Sequence, residues 1–357
     1  MTPGPTQVRE NVRNARSLAC TNPDLDPAFY DYYKETCELI SELLETKNTA
    51  YILDGEGILG LEAACASLTE PGDKVLVVDN GIYGKGFADF VTMYGGQVTF
   101  YESTYTQAVD VKEFRAFLEE HHDFKYATLV HCDTPSGVLN PVEELSRALH
   151  EYGIMTIVDS VSAMMGEPLR VDEGQIDIVC GGSQKAVSAP PGLTFVTVSD
   201  AAMKAMEERK TPIASFYANI LVFKDYYKNL WFPYTMPISD IYGLRTALEN
   251  VKADPDRYER HKQMGELTRR TVKEMGLSLY LENGYSNTVT VIRVPDGIKA
   301  DDILALIKQD HNIMIARRFE VLTCQVIRIG HMGENANEAD VVETLEALKS
   351  VLNKLSA

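Results

Sequence analysis

The sequence predicts an α/β fold built on a mostly parallel sheet, followed by a smaller α+β unit. Three observations point there. Apolar, β-branched runs such as Val75-Leu76-Val77-Val78-Asp79 alternate with amphipathic helical stretches, as strands covered on both faces do. The 357 residues exceed what one compact core usually uses. After about residue 245 the alternation gives way to longer helical segments around a few strands.

Taken in order, the turn Pro71-Gly72-Asp73 announces a strand at 75–79, and a second follows at 127–131. Asn140-Pro141 opens an amphipathic helix over 142–151. Strands are predicted at 155–159, 176–179 and 193–198. In the tail, helices at 257–275, 301–310 and 338–355 surround strands at 288–294, 313–316 and 325–329. The division read from this is an N-terminal segment (1–12), a large α/β domain (13–245) and a small C-terminal α+β domain (246–357).

Charge and composition exclude several classes. A net charge of −18, from 52 acids against 34 bases, repels nucleic acid and anionic membrane, so neither is an expected partner. No apolar stretch reaches the roughly 20 residues of a membrane span, and Met1-Thr2-Pro3-Gly4 does not read as a signal peptide. The six cysteines form no C-x-x-C pair, and the seven histidines show no ligand spacing. A cytoplasmic protein without metal or disulfides is the expectation.

In a parallel sheet, ligands sit beyond the carboxyl ends of the strands. Asp133-Thr134-Pro135-Ser136-Gly137, Asp159-Ser160 and Ser183-Gln184-Lys185 all fall there. Lys185 lies among small residues before the rigid Ala189-Pro190-Pro191-Gly192. A lysine in such surroundings suits a Schiff-base nucleophile, whose pKa burial lowers; a plain surface role is the alternative. Asp159, closing its strand, suits a carboxylate that holds a pyridine nitrogen protonated, or else a cap on the following helix. Tyr83, in Gly81-Ile82-Tyr83-Gly84-Lys85-Gly86, can stack on a flat ring that glycines let approach, or simply pack.

With these motifs the sequence resembles the class V aminotransferases of pyridoxal-phosphate-dependent fold type I, the group of alanine–glyoxylate and serine–pyruvate aminotransferases. The resemblance runs from Thr2-Pro3-Gly4-Pro5-Thr6, through Ser183-Gln184-Lys185-Ala186, to Arg328-Ile329-Gly330-His331-Met332-Gly333. It implies a seven-stranded sheet, pyridoxal phosphate bound covalently at Lys185, Asp159 on the pyridine nitrogen and Tyr83 stacked on the ring. It places Thr134 on the 3-hydroxyl side and Arg328 on the substrate carboxylate. Gly55, Glu56, Gly57, Val161, Gln184 and Thr235 complete the implied cofactor contacts. It also implies small-molecule substrates, an amine donor and a 2-oxo acid such as pyruvate. The active site would lie near the N-terminal segment in a homodimer or dimer of dimers, with residues 232–235 of one chain reaching the partner's pocket.

One run departs from the family. Where a hydroxyl-bearing, Gly-rich loop would cradle the phosphate at a helix start, this chain reads Asp54-Gly55-Glu56-Gly57-Ile58-Leu59-Gly60. A carboxylate about 4 Å from a phosphate charge costs roughly 1–4 kcal/mol, depending on dielectric. Either Glu56 turns outward as a helix-start acid, or it meets a neutral hydroxymethyl group. The second option is similar to a branch of the family that transaminates unphosphorylated vitamin B6, pyridoxamine with pyruvate. In that branch a second substrate arginine falls near Arg317-Arg318-Phe319; a gapless register puts Phe319 there, and Arg318 fills the role with a one-residue shift. The alternatives are a pyridoxal-phosphate-bound alanine–glyoxylate type of enzyme and, third, a fold type I lyase or a non-catalytic B6-binding protein. Cys324, the cysteine nearest Arg328 in sequence, reads as buried filler.

Overall fold

The computed structural model describes residues 1–317 and 326–356. Its centre is a seven-stranded sheet of β1 (Thr49–Asp54), β2 (Lys74–Asp79), β3 (Gln97–Glu102), β4 (Tyr126–Val130), β5 (Met155–Asp159), β6 (Ile178–Gly182) and β7 (Leu193–Val198). The spatial order is β1-β7-β6-β5-β4-β2-β3. All neighbours pair in parallel except β7, which runs antiparallel to both β6 and β1. The expected mostly parallel sheet is therefore present. Strands β4, β6 and β7 are buried at every position, because helices cover both faces. That is why they read as unbroken apolar runs rather than as alternation.

Two strand expectations need correction, and two strands went unpredicted. The strand predicted at 176–179 is instead Ile178–Gly182. Asp177 sits just before it, its buried carboxylate accepting from the Thr156 N–H at 3.0 Å and the Ser199 hydroxyl at 2.8 Å. Gly181, which resembles a turn residue, continues the strand: a Cβ there would lie 2.5 Å from Met164 Sδ and from the Phe195 ring. The strand predicted at 313–316 shrinks to β9, Ala316–Arg317. Asn312, at φ 54°, closes the preceding helix in the left-handed region, and the chain spends the next residues returning to the sheet. Strands β1 and β3 had no prediction at all. β3 is an edge strand whose side chains are mostly exposed and mix Val98, Phe100 and Tyr101 with polar residues, so it lacks a continuous buried run.

The tail forms a small antiparallel sheet in the order β8-β10-β9, with β8 Val289–Arg293 and β10 Val326–Gly330. Helices Arg257–Glu274, Ala300–His311 and Glu338–Ser356 cover it. Ile292, Ile303, Ile307, Ile327, Ile329 and Leu348 form its hydrophobic cluster, separate from the larger one around the main sheet. Among the described residues no helix is long and apolar enough to cross a membrane.

Candidate active site

The parallel strands deliver their following residues to one edge of the sheet, and two helices begin at that edge. Helix Ile82–Met93 follows β2, and helix Gly57–Leu68 follows β1. Asp133, fully buried, organises the centre. Its Oδ1 accepts the Tyr83 N–H at 3.0 Å, and its Oδ2 accepts the Ser136 hydroxyl at 2.7 Å and the Ser136 N–H at 3.1 Å. A Cβ on Gly81 would come within 2.4 Å of the Asp133 carboxyl carbon, so glycine there permits the approach. The result fixes Tyr83 and Thr134 on the same wall. This role of Asp133 was not read from the sequence; the signal was an Asp followed three residues on by Ser, an Asx-turn pattern.

Lys185, Asp159, Tyr83, Thr134, Gln184 and Glu56 line one cavity, as do Gly57 and Val161. Gly57 brings the helix start against Val161, where a Cβ would meet Val161 Cγ1 at 2.8 Å. Burial pushes the Asp159 carboxyl up to about 7, opposed by the Val161 N–H that donates to its Oδ1 at 2.9 Å and reinforced by the nearby Asp133. The Lys185 amine opposes this shift only in part, and a protonated pyridine nitrogen would supply a further counter-charge. The donor set therefore fits a vitamin B6 ring. Burial also lowers the Lys185 pKa, and the Arg328 guanidinium lowers it further; both favour a neutral, nucleophilic amine.

At the end of this cavity Glu56 does two things at once. Its Oε1 caps the helix by accepting the Ile58 N–H at 3.1 Å, and its Oε2 accepts from Gln184 Nε2 at 3.1 Å. Gly55 precedes it in the turn, which carries neither hydroxyl nor cation.

A second cavity adjoins the first through Tyr83, Thr134 and Lys185, and Arg328 lines it. Arg328, on β10, donates from Nε to the Arg317 carbonyl at 3.0 Å and from Nη1 to the Thr134 carbonyl at 3.3 Å. The roof is the chain's first turn. Lys185 Nζ donates to the Pro3 carbonyl at 2.7 Å, and Gly4, at φ +93°, passes so close that a Cβ would lie 2.5 Å from Lys185 Cδ. Gly330 receives the same segment from the other side, its hypothetical Cβ 2.4 Å from Pro3 Cα. Thr235 does not join them: it is exposed and donates to Asp24 Oδ2 at 3.0 Å. Arg318 and Cys324 lie outside the described residues. Among the described residues no group of three or more His, Cys, Asp or Glu side chains is placed to hold a metal ion.

The arrangement can attach a carbonyl compound at Lys185, hold a ring nitrogen at Asp159 and fix a carboxylate at Arg328. Comparison with known proteins agrees in kind. The family model described as aminotransferase class-V matches residues 9–320. A pyridoxamine–pyruvate transaminase of Mesorhizobium japonicum is 32% identical over 92% of this chain and 85% of its own length. An alanine–glyoxylate aminotransferase of Callithrix jacchus is 30% identical, over 98% of this chain and 86% of its own. The crystal structure of ureidoglycine–glyoxylate aminotransferase from Bacillus subtilis superposes with a TM-score of 0.96 at 30% identity, covering 100% of this chain and 93% of that one. Similar proteins thus differ in substrate while sharing fold and reaction type. This chain belongs to the class V aminotransferases, a pyridoxal-phosphate-dependent family of fold type I.

Proposed function

We propose that the enzyme moves an amino group between unphosphorylated pyridoxamine and pyruvate, giving pyridoxal and L-alanine. The observation that carries this reading is Glu56, held by Gln184 at the end of the ring cavity, where a phosphate would meet like charge and a hydroxymethyl group would donate to it. The bound B6 ring supplies an electron sink for the carbon that loses its proton. The chain's residues do the rest. Lys185 Nζ would take a proton from the carbon that carries the pyridoxamine nitrogen and return it to the pyruvate-derived carbon; it would then take over the aldehyde carbon as alanine leaves, until water releases pyridoxal and frees the amine. Asp159 would hold the ring nitrogen and keep it protonated. Tyr83 and Thr134, which line the same cavity, would pack against the ring and serve its 3-hydroxyl side, and Arg328 would grip the carboxylate of pyruvate or alanine with its planar fork.

Titration with pyridoxal and with pyridoxal phosphate, read by near-visible absorbance, tests the reading. The unphosphorylated form should bind at least about tenfold more tightly, a difference of ~1.4 kcal/mol. Tighter binding of the phosphate form overturns it. A second reading, an alanine–glyoxylate type of enzyme with resident pyridoxal phosphate, draws on the exposure of Glu56: a carboxylate that swings out would leave helix-start amides for a phosphate. Mass spectrometry of the purified protein showing one phosphorylated B6 per chain selects that reading.

Replacing Arg328 with alanine should raise the KM for pyruvate on the order of 100-fold while leaving pyridoxal affinity within about threefold, since Arg328 lines the second cavity and not the ring cavity. Unchanged steady-state kinetics would remove Arg328 from the substrate site. We also take the enzyme to be a cytoplasmic homodimer or dimer of dimers; the exposed Thr235 adjoins in sequence the exposed Leu230 and Trp231, a surface suited to a second copy.

A further inference from the structure

Gln184 is 7% exposed and lines the ring cavity immediately before Lys185. A carboxamide has a donor end and an acceptor end of nearly the same shape, so its partners decide which way it faces. Glu56 decides here. A carboxylate can only accept, so Glu56 Oε2 draws the NH2 group to itself at 3.1 Å. The carbonyl oxygen is thereby turned the other way, where it is buried and accepts no hydrogen bond from the described residues. Gly182 makes room for it, since a Cβ at that position would lie 2.9 Å from Gln184 Oε1.

Glu56 therefore acts on a phosphate twice. It places a negative charge at the end of the cavity, and it occupies the amide donors of the neighbouring side chain. We propose that Gln184 is the specificity-determining partner of Glu56: locked by it, the carboxamide has its NH2 donor held on the Glu56 carboxylate, and released from it, the same NH2 group is free to bind a phosphate at that end of the cavity. The proposal rests on the reading of Glu56 given above, and it assigns the choice between a B6 alcohol and its phosphate ester to the pair rather than to one residue.

A double-mutant cycle tests it through binding rather than turnover. The proteins are wild type, Glu56→Ser, Gln184→Ala and the double variant. Serine keeps the helix cap that Glu56 provides, so the variant should fold. Each is titrated with pyridoxal and with pyridoxal phosphate, followed by absorbance and by borohydride fixation. Glu56→Ser alone should gain about 30-fold in affinity for the phosphate form. The double variant should gain no more than about fivefold, and Gln184→Ala alone no more than about threefold. An equal gain in Glu56→Ser and in the double variant overturns the role of Gln184 while sparing that of Glu56. No gain in either overturns both. As a second readout, the side-chain amide resonance of Gln184 in ¹⁵N-labelled protein, assigned by its absence in Gln184→Ala, should shift on adding pyridoxal phosphate to Glu56→Ser. It should stay in place when the same compound is added to wild type; a shift there contradicts the lock.

Discussion

Replacing Lys185 with alanine is expected to lower pyridoxamine–pyruvate turnover by at least about 10⁴-fold, because the variant loses both the covalent attachment point and the base that moves the proton. Stability should change little, since the side chain faces two cavities rather than the apolar core. Lys185→Arg should be equally inactive, as a guanidinium stays charged where burial and Arg328 favour a neutral amine. The direct check is borohydride reduction with pyridoxal followed by peptide mapping. Wild type should carry the label on the peptide containing Lys185, and both variants should carry none. Turnover surviving in the alanine variant, or a label elsewhere, removes Lys185 from the chemistry.

Asp159→Asn is expected to separate function from stability in opposite directions. With the carboxyl pushed up to about 7 by burial, the folded protein without ligand retains a proton that the unfolded chain has already released above its ordinary value near 4. Folding stability therefore falls as pH rises through that window, by on the order of 4 kcal/mol for a shift of about three units. Asparagine has no proton to lose. The ligand-free variant should match wild type at pH 4 and exceed it by a few kcal/mol at pH 8 in urea unfolding. Its turnover should nonetheless fall about 10³-fold, because the neutral amide no longer holds the ring nitrogen protonated. A variant no more stable than wild type at pH 8 would show that the carboxyl ionises freely in the fold.

These two residues were legible in the sequence for a shared reason. Both follow mainly apolar, β-branched runs that read as buried strands, and the carboxyl ends of parallel strands are where ligands collect. Legibility failed where the cause was not local. β3 lacks a continuous apolar run because it is an exposed edge, and Gly181 sits within a strand because Met164 and Phe195 crowd it; neither neighbour is near it in sequence. Glu56 offered two readings, an outward helix-start acid or an acceptor for a hydroxymethyl group; its Oε1 caps the helix, while its Oε2 is turned to Gln184, a partner that neither reading named. The contact of Lys185 with Pro3 runs through a backbone carbonyl, which no side-chain pattern announces. Thr235 was expected to reach a partner's pocket, and within its own chain it lies away from the cavity on the surface.

The roof over Lys185 also bears on how the molecule assembles. Residues 1–7 have hardly any partners nearby in sequence: Met1 accepts from the Gly330 N–H, Thr6 bonds Gln184 and Lys185, and the Gln7 N–H donates to Asn335 across 328 positions. Contacts of such long sequence separation form late, because the intervening chain must be ordered before they can be made. Residues 1–7 would thus be among the last to find their place, and a chain that has formed all of its main sheet would still lack a finished pocket. Refolding followed by B6 capture should lag behind refolding followed by far-ultraviolet ellipticity, with the ligand acting as a sensor of the final docking step.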